Sequence, residues 1–310
     1  MNKIFFLIFV LFLSFSYADT NDTLEKMRVG LTSYYHNLLG NIDDTVKCKK
    51  NCKHSERRII KKNSLKLIVT LKSTKDHVFR LSLNARGHIY LPKLSKKLEF
   101  TFSKQSFDTL TNRQIDSQNE NLVTDERVRI GLKYYFLDKD DIIFFTKLGF
   151  KLRSPFGLYQ ELTLQKQFFI KNDVSVLTEG SLYYYLNHTY IAKSVRLNFY
   201  KPIDKIHLLE QANEWYANSQ NQDKKHIVNH LKFHHFFKNK NTLTYWISYA
   251  TLKKPSSSYM KDWQGISISY IHRLSKWLYI QTIPRVLQKK ENNFKTEYAL
   301  SISLAMTLGV

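Results

Sequence analysis

The chain has 310 residues, with 48 Lys and Arg against 26 Asp and Glu and a formal charge of +22 at pH 7. Such a balance points to anionic partners: nucleic acid, anionic lipid or small anions. No segment past the first 20 residues reaches the 18 apolar residues of a helical span, which excludes a helical membrane domain; strands, with their short alternating signals, stay open.

The chain opens MNKIFFLIFVLFLSFSYADT. Lys3 supplies a positive start, Ile4 to Leu13 an apolar run, and Ser16-Tyr17-Ala18 a small-residue cleavage site. This predicts a secretory signal peptide over 1–18, cut before Asp19. A single anchor helix is the competing reading, but the run is short of the roughly 20 residues a span needs. Export argues against nucleic acid as the partner.

Leu24, Met27, Leu31, Tyr34, Leu38 and Leu39 recur at helical spacing, and Gly40 supplies a stop. The expectation is a short N-terminal helix packed on the rest of the protein; a lumen-plugging or partner-binding helix is the sharper alternative. Cys48 and Cys52, in CKKNC, predict a local disulfide in an oxidising compartment. A c-type haem would need C-x-x-C-H; here an extra residue separates the cysteines and Lys53 stands in place of His, so no cofactor or metal is expected. From Lys47 to Lys62 the chain is strongly basic, with Glu56 the one acid. Such runs are usually solvated, and a lipid-phosphate contact is the alternative.

Alternation with period two begins near Ser64, in LKLIVTLK, HVFRLSLNARGHIYL and KKLEFTF. Ser106 to Asp125 reads as a loop. ERVRIGLKYYFL follows over 126–137, and further strands are predicted near 142–153, 156–170, 174–187, 189–200, 206–218, 226–237, 242–252, 263–272, 276–287 and 294–310. The stretch 206–218 alternates poorly. The last one is clearest: Tyr298, Leu300, Ile302, Leu304, Met306, Leu308 and Val310 share one face, and small or polar residues share the other. Long and tight connections alternate along the chain, which puts both termini on the tight-turn side, periplasmic in an outer-membrane barrel. Tyr190, Tyr200, Trp263 and Trp277 fall near strand ends, where an interfacial aromatic girdle is expected. Pro284 removes a ladder donor and predicts a bulge or strand end.

Two stretches carry a family resemblance: NARGHIYLPKLSKKLEFTF (84–102) and the closing WLYIQTIPRVLQKKENNFKTEYALSISLAMTLG (277–309). Together they resemble a largely uncharacterised family of porin-like outer-membrane β-barrel proteins of Gram-negative bacteria. The resemblance implies fold and location over nearly all of the chain after the signal peptide, and brings no catalytic residues with it. The chain departs from the family in using Lys where relatives favour Arg, in Gln281 where they favour a carboxylate, and in ending on Val310 after Gly309.

The fold expected is all-β: a transmembrane antiparallel barrel of about 14 strands over 64–310, with 12 as the alternative count, after a helical and basic segment over 19–63. Arg127, Arg129, Lys133, Lys147, Lys151 and Arg153 share the polar phase of two adjacent strands. Charge on the lipid face at mid-depth costs about 2–4 kcal/mol per residue, so these are expected to line the lumen as a basic wall, with Glu161 and Glu179 in the same interior. His226, His230 and His234 share a strand face, but successive members stand roughly 13 Å apart, too far to share a metal. Solvated lumen histidines are the expectation, with His235 beside them. No G-x-S-x-G, H-E-x-x-H or Gly-rich phosphate loop is present, so an enzyme is not expected. The leading reading is a passive outer-membrane channel for small solutes, with anions the class a basic lumen would favour. The alternatives are a plugged structural barrel and an outer-membrane enzyme. The expected partners are outer-membrane lipid and lipopolysaccharide, the barrel-assembly machinery and small anionic solutes.

Overall fold

The structure, a computed structural model, describes Val29 and residues 64–74, 79–90, 97–105, 127–139, 141–152, 157–170, 173–186, 190–219, 224–238, 241–253 and 258–308. The signal peptide, the predicted helix apart from Val29, the basic run, Cys48, Cys52 and Arg153 lie outside the described residues. Fourteen strands form one closed antiparallel barrel. They are β1 (Ser64–Thr74), β2 (Arg80–Tyr90), β3 (Leu98–Gln105), β4 (Arg127–Asp138), β5 (Ile142–Leu152), β6 (Gly157–Ile170) and β7 (Val174–Tyr185). The second half is β8 (Tyr190–Pro202), β9 (His207–Asn218), β10 (Lys224–Phe236), β11 (Thr242–Lys253), β12 (Met260–Arg273), β13 (Leu278–Lys289) and β14 (Thr296–Leu308). Each strand pairs with its sequence neighbours, and β1 closes on β14 from Leu65↔Leu308 to Thr74↔Ala299. The poorly alternating stretch is a full strand, β9, paired with β8 and β10 along its length.

The alternation decides which side faces what. Leu81, Leu83, Leu132, Leu148, Phe150, Leu164, Val195, Ile247 and Ile266 are exposed on the outer surface, Phe150 to 55%. Thr70, Ser82, Asn84, Thr163, Ser181, Asn198, Ser248, Ser267, Ser301 and Ser303 are buried on the inner face. This inverts a soluble sandwich, whose polar side meets water. The ends differ too. Connections at 139–141, 171–173, 203–206 and 274–277 are tight and share one end with the start of β1 and the finish of β14. At the 171–173 turn Asp173 takes φ 59°, a left-handed value that Asp tolerates. That end is the turn end below; the other is the loop end.

Two expectations fail here. Pro284 sits inside β13, with Leu300 of β14 opposite, and there is no register shift. Its missing donor instead interrupts the β12–β13 ladder between Ser267↔Arg285 and Tyr270↔Thr282. The bulges fall elsewhere, between Tyr135 and Leu137 and between Ala250 and Thr251. Two of the four girdle residues are misassigned as well. Trp263, 5% exposed, is in phase with Ser267 and belongs to an inner-face cluster. Tyr200 also faces inward, its hydroxyl accepting from Asn198 Nδ2 at 3.1 Å. Tyr190 pairs with Tyr185, which faces inward, and Trp277 lies in the β12–β13 turn. The outer aromatics are others, among them Tyr134, Phe136, Tyr245, Tyr249 and Tyr270.

Gly149 is required by close approach. A β-carbon there would stand 2.5 Å from the Tyr159 ring, which covers the glycine from β6. At Gly180 a β-carbon meets nothing within 4 Å. Gly149→Val is therefore expected to cost about 1–3 kcal/mol by overpacking, whereas Gly180→Ala is expected to be neutral or stabilising by about 0.5 kcal/mol. Urea unfolding of the detergent-folded barrel separates the two.

In the β8–β9 turn, Asp204 Oδ1 accepts the amides of Ile206 and His207, each at 2.8 Å, and Oδ2 accepts from His207 Nδ1 at 2.7 Å. The His207 bond is the main cause that holds this carboxyl below the ordinary aspartate range. A depressed carboxylate gives stability that is present above its unfolded pKa and lost as pH falls through the folded value. Wild type should exceed Asp204→Asn in stability near pH 6, and the two should converge in acid; unfolding midpoints across pH 6 to 2 test this.

Candidate functional site: the inner face of the barrel

The inner face is charged but not evenly so. On β1–β5 the inward phase carries Lys66, Lys72, Arg86, Arg129, Lys133 and Lys147, against Glu99 and, at the end of β4, Asp138. On β6–β10 it carries Glu161, Glu179, Glu210 and Glu214 against Arg196 and Lys232. These sums are of the described side chains. The backbone of Arg127 and Lys151 falls in the same phase, with Lys151 opposite Arg129 and Arg127 opposite Gln105. The first arc is thus basic and the second mildly acidic. In a closed 14-strand order β3 stands across the barrel from β10, so the two arcs face each other.

The carboxylates are tied to the wall. Glu99, 1% exposed, accepts from His88 Nδ1 at 2.6 Å and from the Tyr135 hydroxyl. Lys133, its cross-strand partner, lies 4.4 Å from the Tyr135 ring centre and 3.7 Å from that of Phe145. Cation–π contact of this kind holds an ammonium without neutralising it. Lys133 also stands opposite Lys147, a like-charge pair that the next strand offsets with Glu161 opposite Lys147. Glu161 in turn accepts from Thr163 at 3.2 Å.

On the second arc the ions form a ladder across strands. Gln165 donates to Glu179; Arg196 reaches Glu179 Oε1 at 3.1 Å and Glu214 Oε2 at 3.4 Å. Lys232 and His234 both meet Glu210, at 2.8 and 3.0 Å. The β10 histidines are therefore not solvated as expected. His226, His230 and His234 share the inner face, but His226 is buried, His230 Nδ1 is 2.7 Å from Ser248 Oγ, and His234 Nδ1 is 3.0 Å from Thr244 Oγ1. His235 faces outward, against His207. Among the described residues no group of three His, Cys, Asp or Glu is disposed to hold a metal ion. The ladder is invisible in one sequence because Glu179, Arg196 and Glu214 lie 17 and 18 residues apart and meet only through register. Acids in the inward phase of consecutive strands are the one sequence signal for it. Towards the loop end the same arc turns aromatic, with Tyr159, Tyr185, Tyr216 and Trp263 packed around Ala192, Val228 and Ala250.

No protein-family model and no curated relative matches the sequence. The fold does have solved counterparts. It is similar to OprB of Pseudomonas putida, with 9% identity over 83% of this chain and 97% of that one and a TM-score of 0.51. It is also similar to a loop L8 deletion mutant of OmpT, an outer membrane protein of Vibrio cholerae, with 9% identity over 79% and 98% and a TM-score of 0.50. At such identity the likeness is one of fold.

Arg196 and its two carboxylates are mostly shielded, with side chains 16% and 12% exposed. Arg196→Met leaves two facing glutamates without their shared cation and is expected to destabilise the barrel by about 3 kcal/mol. Arg196→Lys should lose less. Denaturant unfolding monitored by tryptophan fluorescence checks both.

Proposed function

We propose that the chain is an outer-membrane barrel that conducts small solutes passively and favours anions. The observation that carries this reading is the unequal inner face: six basic side chains against two carboxylates on β1–β5, beneath an exterior of exposed Leu, Ile, Val and aromatic residues. An apolar exterior suits hydrocarbon, and a closed barrel leaves no strand edge there to satisfy. An unbalanced basic arc inside such a barrel suits water, where its repulsion is screened. A wall of Lys and Arg lowers the barrier for an anion and raises it for a cation. The outer-membrane setting draws support from the fold shared with an outer membrane protein. The loop end is then external and both termini periplasmic, as short periplasmic turns require. The reading uses no cofactor and assigns no catalytic residue.

In a planar bilayer under a salt gradient, the folded chain should give steady conductance and a reversal potential of anionic sign. Arg129→Gln with Lys147→Gln should move that potential towards zero. The difference should shrink near 1 M salt, where screening falls to about 3 Å from about 10 Å at 0.1 M. Cation preference, or silence from protein verified as folded, would overturn the proposal.

A further inference from the structure

One row of outward positions does not suit hydrocarbon. Register places Lys193 of β8, Ala217 of β9, Lys225 of β10 and Lys253 of β11 side by side. All four are in the outward phase, because Ala192, Tyr216 and His226 beside them are buried on the inner face. Ala217, though outward, is only 5% exposed. The row lies at the loop end, near the start of β8 and β10 and the finish of β9 and β11. Directly towards mid-membrane come Val195, Trp215, Ile227 and Thr251, a mostly apolar row.

Three cations in a row call for an anion. Lys225 and Lys253 are directly opposed across strands, and like charges so placed repel. Among the described residues no carboxylate is within ion-pair range of the three. Asp262 of the adjoining β12 is the residue skipped by the bulge there. Two further lysines hold outward positions at this end: Lys261 of β12, which adjoins the row opposite Thr251, and Lys104 of β3, which stands apart from it between Ala85 and Val128. At the same end the outward positions of β1, β2, β5, β6 and β7 carry Ser73, Leu81, Leu152, Leu158 and Tyr184. A general anchoring girdle would run evenly round the barrel; three lysines in one row, with five strands elsewhere carrying none, mark a place. Adjacent strands stand about 4.8 Å apart, so the row spans about 14 Å, enough for one headgroup with two separated phosphates. Apolar surface below the charges favours an acylated ligand over a soluble anion.

We propose that the outer face of β8–β11 at the loop end binds a phosphorylated, multiply acylated glycolipid of the outer leaflet, with Lys193, Lys225 and Lys253 on its phosphates. This rests on the membrane-barrel reading above and on its external loop end. The test uses the full chain folded in neutral detergent, with folding followed by heat-modifiable gel migration and circular dichroism. Native mass spectrometry then measures retention of bisphosphorylated lipid A. Wild type should retain it at least tenfold better than its dephosphorylated form and better than phosphatidylglycerol. The triple variant Lys193→Gln, Lys225→Gln, Lys253→Gln should lose at least tenfold, and the corresponding triple Arg variant should keep binding. Equal retention by wild type and the Gln variant, or equal retention of phosphatidylglycerol, would overturn the glycolipid site. A chain that folds and inserts into phosphatidylcholine vesicles yet ignores lipid A sinks this proposal alone. A chain that inserts into no bilayer sinks the barrel reading with it.

Discussion

The pairing of β1 with β14 is the constraint on which the rest depends. In hydrocarbon an unpaired backbone amide or carbonyl costs several kcal/mol, and an open sheet of this length would present a whole edge of them. Ten residues of β1, from Leu65 to Thr74, find partners on β14. Closure removes the edge and at the same time divides every side chain into inner and outer. Once the sheet is a cylinder, period two becomes a partition between two solvents. Leu300, Ile302 and Leu304 go to one, and Ser301, Ser303 and Ala305 to the other. Thr70 and Ser303 meet by their hydroxyls at 2.8 Å across this seam, a small inner contact that large side chains would deny.

Inside, the partition creates an electrostatic problem that the two arcs solve differently. The β6–β10 arc pairs its ions within the wall: Arg196 between two glutamates, and Glu210 between Lys232 and His234. Such ladders fix register, because a slip of one residue would send every charge to the outer face. The β1–β5 arc instead places Lys133 opposite Lys147 and seats Lys133 against two aromatic rings. Ring contact does not itself neutralise an ammonium, and with Glu99 and Asp138 against six described basic side chains this arc stays basic in sum, while the other pairs most of its ions within the wall.

How much of this was legible follows from what one strand can say. Period two marked all fourteen strands and the inward phase of Arg129, Lys133, Lys147, Glu161 and Glu179. It was faint for β9 because polar residues, Gln211 and Asn213, hold outward positions there. The structure has Gln211 donating to Asn213 within β9, and Asn213 donating to the Leu197 carbonyl of β8. Trp263 and Tyr200 were misread for a related reason. Their position along a strand suggested a girdle, but phase decides side, and theirs follows Ser267 and Asn198. Partners were out of reach altogether. That His230 meets Ser248 and His234 meets Glu210 depends on the offset between strands, which no single strand encodes.

The outer surface obeys the same phase rule, which is why its exceptions matter. A lysine in an outward position near mid-depth costs about 2–4 kcal/mol, and near the interface about 0–1. The row of Lys193, Lys225 and Lys253 stands at strand ends, where the cost is least. Even so, three of four neighbouring positions on one arc share a sign, while Ser73, Leu81, Leu152 and Leu158 carry none at the same end elsewhere. Phase and register together bring the lysines into line, and a line of cations above a mostly apolar row has the form of a headgroup above its chains.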